Sequence, residues 1–339
     1  MFRAAPDSQG RVAKVPSPFA GYEVDRALRP EPEAFEFDLK SALSAVVALE
    51  ARVADDAFTA KALGTERLGN AVVISERGLV LTIGYLVTEA EDVVLTTGGG
   101  RRVPAHVLGV DAATGFGLLQ ALEPLELPSL RIGDSRRLHQ DEVLIAAGGG
   151  GHAHALAGGL MARAPFAGYW EYYLEDALFV GPDHPHWSGA ALINESGELV
   201  GIGSLRLEGQ GEDGRVAPLN MFVPTELLPP ILDDLVNGRP ASAPRPWLGV
   251  LAQEVEGHVV VADVTEGGPA ARAELRRGDL IRAVADQPVS DLGQFYKGVW
   301  ALGAPGVDVA LTLQRGNDVF DVEVRSADRS ARLKKRRLH

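Results

Sequence analysis

The stretch LGNAVVISERGLVLTIGYLV, residues 68–87, holds two short apolar, β-branched runs, Ala71–Ile74 and Leu79–Leu81, separated by the polar turn Ser75-Glu76-Arg77-Gly78. Runs of this length bounded by turn residues read as strands. The same texture continues in both directions, through Val46–Val53, Asp92–Thr96, Val103–Val110, Gly117–Ala121, Glu142–Ala147, Leu199–Ile202 and Met221–Val223. Many short strands punctuated by glycine predict a sandwich or barrel over residues 40–225. At residues 224–240 the period changes: Leu227, Leu228, Ile231, Leu232 and Leu235 recur at helical spacing, and Asn237-Gly238 with Pro240 ends the run.

These changes divide the chain. A first domain is expected over 38–240, a proline-containing linker (ASAPRP) over 241–246, a second β-rich unit over 247–327, and a basic tail over 328–339. Residues 1–37 mix Pro, Arg, Asp and Glu without periodicity and are expected to form an extended arm. Its aromatics, Phe19, Tyr22, Phe35 and Phe37, point to docking.

The 339 residues carry 33 Lys and Arg against 46 Asp and Glu, a formal charge of −13, which disfavours a nucleic-acid partner. Cysteine is absent, so disulfides, thiolate zinc sites and cysteine nucleophiles are excluded together. The N-terminus MFRAAPDSQGRVAKVPSPFAGYEV lacks the apolar run of a secretory leader, so a cytoplasmic location is expected, or a periplasmic one if a leader has been removed. The one long uncharged stretch, Val143 to Ala162, is broken by Gly148 to Gly151 and by His152 and His154, and no membrane span is expected.

Five segments in order resemble the HtrA (DegP-like) serine proteases. Residues 68–87 resemble the strand pair leading to the catalytic histidine, and VPAHVLGVDAATGFGLLQ (103–120) the segment carrying the aspartate. LPSLRIGDSRRLHQDEVLIAAG (127–148) resembles the next strand and turn, and HPHWSGAALINESGELVGIGS (184–204) the nucleophile loop. NMFVPTELLPPILDDLVNGRP (220–240) resembles the closing helix, with PWLGV (246–250) opening a PDZ domain. The resemblance implies a mostly β protein: a trypsin-like double six-stranded β-barrel followed by a C-terminal PDZ domain.

Trypsin-like hydrolysis uses a serine, an imidazole that takes and returns its proton, and a carboxylate that orients the imidazole. Matching motif to motif places the histidine position on Tyr85, the aspartate position on Gly115 and the serine position on Ser188. A phenol of pKa about 10 is ionised in roughly one molecule per thousand at neutral pH, a poor substitute for imidazole. His186 and Trp187 stand where the family has the glycine and asparagine before the serine, so the oxyanion hole is expected to be altered. On these grounds the chain is expected to be a pseudoprotease and not an enzyme.

Two His-x-His pairs, His152/His154 and His184/His186, have a spacing that on a strand places both rings on one face, where they could share Zn²⁺ or Cu²⁺. The alternative is a polar loop with its histidines satisfied by solvent or backbone. Gly148 to Gly151 lack the Lys-Ser/Thr of a phosphate loop. In the PDZ unit the resemblance makes Trp247, Leu248, Gly249 and Val250 the carboxylate-binding loop, whose backbone N–H groups receive a peptide C-terminus. Glu274 stands where the family has glycine, so that turn is expected to be strained.

The expectation is therefore a protein-binding scaffold or adaptor that takes partner C-termini or strands through its PDZ domain. The resemblance implies a homo-oligomer, with a trimer as first guess and the aromatic arm docked on a neighbouring subunit; a subunit of a hetero-complex, with a different partner protein receiving the same aromatics, is the other expectation. An unconventional serine peptidase using Ser188 and a metal-binding protein using the histidine pairs are the alternatives.

Overall fold

The computed structural model describes residues 19, 21–139, 141–210 and 216–334. The chain divides into two compact units, one of residues 1–163, 177–241 and 336–339, the other of residues 164–176 and 242–335.

In the first unit, α1 (Leu39–Ser44) is capped by the Asp38 carboxylate, which accepts from the Ser41 N–H, and leads into β1 (Val46–Val53). The short α2 (Ala60–Leu63) precedes β2 (Glu66–Val73) and β3 (Leu79–Ile83), and β4 (Ala90–Thr96), β5 (Arg102–Val110) and β6 (Phe116–Ala121) follow. These strands close into a barrel in the order β1-β2-β3-β6-β5-β4. Alternation drives the closure: in β5, Val103, Ala105 and Val107 point inward while Arg102, Pro104 and His106 face out.

A second barrel closes in the order β10-β11-β12-β9-β8-β7. Its strands are β7 (Leu144–Ala147), β8 (Ala155–Gly168), β9 (Tyr172–Gly181), β10 (Ala191–Ile193), β11 (Leu199–Gln210) and β12 (Val216–Pro224). Leu144, Leu178, Val180, Leu192, Val200 and Phe222 form its core. The expected helix is α3 (Pro229–Val236), with proline in its first turn, where a missing N–H costs nothing. Its Leu235 lies on Gly109, where an added Cβ would come within 2.9 Å of the leucine.

The second unit is a sheet ordered β13-β14-β15-β17-β18, with β16 paired to β15. Its strands are β13 (Val250–Val255), β14 (His258–Val264), β15 (Leu280–Val284), β16 (Gln287–Pro288), β17 (Asp308–Arg315) and β18 (Asp318–Arg325). Two helices cover it, α4 (Pro269–Arg272) and α5 (Leu292–Ala301), over a core of Leu248, Val261, Phe295, Tyr296, Leu311 and Leu313. Glu274 does adopt a left-handed backbone, φ +60°, held while the Arg315 guanidinium donates to its carbonyl.

The C-terminal unit also takes in the tip of the β8–β9 hairpin, residues 164–176. Of the N-terminal arm, residues 1–18 and 20 lie outside the described residues, as do 335–339 of the tail. The described part of the arm packs on its own barrel: the Val24 N–H donates to the Ala153 carbonyl, Phe19 is buried against His186, and the Phe37 ring fills the space beside Gly197. The aromatics thus find an apolar surface within the same chain.

Candidate active site and peptide-binding loop

Ser188 is held by backbone crowding on both sides. Gly189 has φ +72°, and a Cβ there would meet the Asn70 carbonyl at 2.0 Å, so only glycine lets the nucleophile loop lie this close to β2. Asn70 fastens the loop: its N–H donates to the Ser188 carbonyl (2.7 Å), and its side-chain amide donates to the His186 (2.7 Å) and Ser188 (3.1 Å) carbonyls. Its Oδ1 accepts from the Gly149 N–H at 2.8 Å, tying in the glycine run.

Tyr85 stands in a 3-10 turn, Gly84–Leu86, directly after β3. Its hydroxyl lies 2.7 Å from Ser188 Oγ and 2.8 Å from the Ser204 carbonyl. That carbonyl can only accept, so Tyr85 gives its one proton to it, and the Ser188 hydroxyl donates to the phenol oxygen. Burial pushes the Tyr85 phenol up to about 12, against an opposing pull from hydrogen bonding by Ser188 and Trp187. Gly115 supplies no side chain; its carbonyl accepts from the Gly84 N–H at 2.6 Å. The nearby Asp111 carboxylate is spent on the Thr114 N–H and hydroxyl, both at 2.8 Å, and so closes a turn.

The change at His186 and Trp187 acts through the backbone. The His186 N–H, one of the two donors that would meet an oxyanion, donates to His184 Nδ1 at 3.1 Å. With Nδ1 accepting, His184 carries its proton on Nε2 and donates it to the His154 carbonyl at 3.0 Å. Burial pulls His184 down to about 4 and lowers His186 as well. Phe19 and Tyr22 flank the His186 ring at centroid distances of 4.4 and 5.0 Å.

Of the two histidine pairs, His152 Nε2 lies 2.8 Å from the Pro30 carbonyl, and both His184 nitrogens are spent on backbone groups. Among the described residues, no group of three or more His, Asp or Glu is placed to hold a metal ion.

In the PDZ unit, Trp247 anchors the loop by exchanging backbone hydrogen bonds of 3.0 Å with Ala327, and Gly249 turns it at φ +76°. The three N–H groups of Leu248, Gly249 and Val250 converge on one carboxylate, that of Glu171. Its Oε2 accepts from Leu248 at 3.0 Å, and its Oε1 from Gly249 at 2.6 Å and Val250 at 3.0 Å. Burial pushes Glu171 up to about 7, while the three N–H groups and the Arg329 charge pull it back. The hairpin tip is held on both flanks: the Ala252 N–H of β13 donates to the Tyr169 carbonyl at 3.1 Å, and the Tyr296 hydroxyl of α5 donates to the Gly168 carbonyl at 2.8 Å.

Neither Asn70 nor Glu171 was identified from sequence. Asn70 carries no motif. For Glu171 a signal existed in GYWEYY, residues 168–173, where four aromatics surround one acid.

The chain matches the model of the trypsin-like peptidase domain over residues 69–202 and that of the PDZ domain over residues 246–325. It is 27% identical over 277 residues to a "Probable periplasmic serine endoprotease DegP-like" of Halomonas elongata, covering 77% of this chain and 56% of that one. A protein of the same description from Pseudomonas putida (strain W619) is 29% identical, covering 66% of this chain and 48% of its own. The chain thus spans about half the length of these curated relatives. With "Serine endoprotease DegS" of Salmonella typhimurium it shares 26% identity over 76% of each chain. Among solved structures, "HtrA-type protease AlgW with tripeptide" superposes with a TM-score of 0.52 at 22% identity, covering 88% of this chain and 98% of that one. The serine endoprotease from Yersinia pestis gives a TM-score of 0.51 at 24% identity, over 86% and 96%. At these identities the structural likeness speaks for the fold. The relatives are named serine endoproteases, and this corrects the expectation that the chain is not an enzyme. Among the described residues, no helix is long and apolar enough to cross a membrane.

Proposed function

Since the chain is a homologue of the HtrA serine proteases, a trypsin-like peptidase domain joined to a PDZ domain, we propose that it hydrolyses polypeptides with Ser188 as nucleophile and Tyr85 as proton acceptor. The observation that carries this reading is the 2.7 Å contact between Tyr85 Oη and Ser188 Oγ, in which the serine is the donor. Ionised Tyr85 takes the Ser188 proton as Oγ bonds to the scissile carbonyl carbon. The same proton passes to the leaving amine as the C–N bond breaks, and water then hydrolyses the acyl-enzyme.

With the phenol at about 12, roughly one molecule in 10⁵ holds the base in its active form at pH 7. Turnover is therefore slow at neutrality and rises about tenfold per pH unit above it. Substrate must also draw the His186 N–H away from His184; losing one such donor costs about 10²–10³ in kcat.

The PDZ loop favours capture of partners by their C-terminal carboxylate, a binding role that stands apart from turnover. A homo-oligomer remains part of this reading, through surfaces other than the Phe19 and Tyr22 arm. The periplasmic location named for the relatives favours that compartment over the cytoplasm.

The test is hydrolysis of fluorescent casein, with fluorophosphonate labelling, by the full chain from pH 7 to 10. The expected result is a rate first order in hydroxide that disappears in both Ser188→Ala and Tyr85→Phe. A wild type without Ser188-dependent turnover at every pH would overturn the proposal.

A further inference from the structure

The loop Trp247-Leu248-Gly249-Val250 presents three backbone N–H groups to a single point, and the group found there is a carboxylate of the same chain. Each donor is within 2.6–3.0 Å of Glu171. The hairpin beside that carboxylate lies as a bound strand would, with the Tyr169 carbonyl accepting from the Ala252 N–H of β13 and the Gly168 carbonyl accepting from Tyr296 of α5. Further along, Lys297 of α5 pairs with Glu175 at 2.9 Å and covers the Tyr173 ring at 4.4 Å. Gly293 of α5 leaves the space that the Tyr173 ring enters, since a Cβ there would meet it at 2.9 Å. Glu171 itself is held at φ +61°, a left-handed backbone that a non-glycine residue rarely adopts, with its carboxylate on the three N–H groups.

We propose that the β8–β9 hairpin is a built-in ligand of the PDZ groove, with Glu171 seated where a partner's C-terminal carboxylate would go. A peptide with a free C-terminus binds only in molecules whose hairpin has left the groove, and once bound it keeps the hairpin out. This rests on the PDZ capture reading above, and it makes peptide binding an exchange of one carboxylate for another. An exchange of this kind lowers the apparent affinity by the fraction of molecules with the groove open.

The probe is a pool of randomised synthetic decapeptides with free C-terminal carboxylates, and the same pool amidated, each passed over immobilised full-length wild type, Glu171→Gln and Glu171→Ala. The glutamine keeps the shape but removes the charge and points an amide N–H₂ at three donors. Both variants are expected to retain the carboxylate pool at least tenfold more than wild type and to leave the amidated pool unchanged. Amide exchange is read in parallel: the N–H groups of Leu248, Gly249 and Val250 should exchange at least tenfold faster in the variants, with β14 and β17 as protected as in wild type. Equal retention of the carboxylate pool by wild type and variants, with unchanged exchange at the loop, would overturn the built-in ligand while sparing PDZ capture. Failure of every protein to distinguish carboxylate from amide would overturn both. Loss of protection in β14 and β17 of both variants would also count against the proposal, because it would make Glu171 a folding residue and not a displaceable ligand.

Discussion

His184 holds three neighbours in place at once: its own N–H is taken by Asn220 at 2.6 Å, its Nδ1 takes the His186 N–H, and its Nε2 meets the His154 carbonyl. The bond from the His186 N–H requires a neutral ring, because a protonated Nδ1 cannot accept. In the unfolded chain a histidine takes up a proton near 6.5, whereas folded His184 resists until about 4. Between those values the unfolded state binds more protons, so stability falls as pH falls, by about 3 kcal/mol over the window, and is fully restored above pH 6.5. Urea unfolding midpoints from pH 7 to pH 4 should therefore drop more steeply in wild type than in His184→Gln. Parallel slopes would remove His184 as the cause. The motif positions of Tyr85 and Ser188 could be counted along the chain, but the contact between their hydroxyls could not, since a phenol in the histidine position pointed to a serine without a base. The His186 N–H bond to His184 was not legible either, since a hydrogen bond between near neighbours depends on loop conformation and tautomer, neither of which a residue pattern encodes. Glu171 was hidden for a different reason: its partner Leu248 is 77 positions away and contributes only a backbone group.

Among the elements, those with a strict period were readable. β1 was found with the bounds Val46–Val53, and α3 to within a residue or two, because alternation and helical spacing of branched and aliphatic side chains mark which face is buried. β8 was missed: ALAGGLMARAPFAG mixes small residues with half-exposed positions on both faces and shows no alternation. The same element ends in the hairpin tip, so missing it also hid the occupant of the PDZ groove. α3 gives a direct test of how far its packing matters. Leu235 is buried and presses on Gly109, where no side chain competes for the space. Leu235→Ala should cost about 2–5 kcal/mol of barrel stability, the range for a buried leucine that leaves a cavity. A loss below about 1 kcal/mol in chemical denaturation would mean that α3 is not anchored through this residue.

For the molecule as a whole, the arm and the nucleophile loop form one packed surface, since Phe19 and Tyr22 flank the His186 ring two residues from Ser188. Replacing both, Phe19→Ala with Tyr22→Ala, uncovers that ring. The His186 pKa, lowered by burial, should return toward its ordinary value in NMR titration, and the assembly mass by light scattering should stay as in wild type. A change of mass would restore the arm to an intersubunit role. The hairpin has a consequence of another kind. In each barrel every strand has a partner on both sides, but β13 ends the PDZ sheet, and it is the Tyr169 carbonyl that meets its Ala252 N–H. A strand with a bare side is a template for any other extended chain, including a second copy of itself. Each excursion of the hairpin away from β13 therefore opens a seam at which molecules can stick together, and lasting release without a peptide to fill the gap should appear as concentration-dependent aggregation.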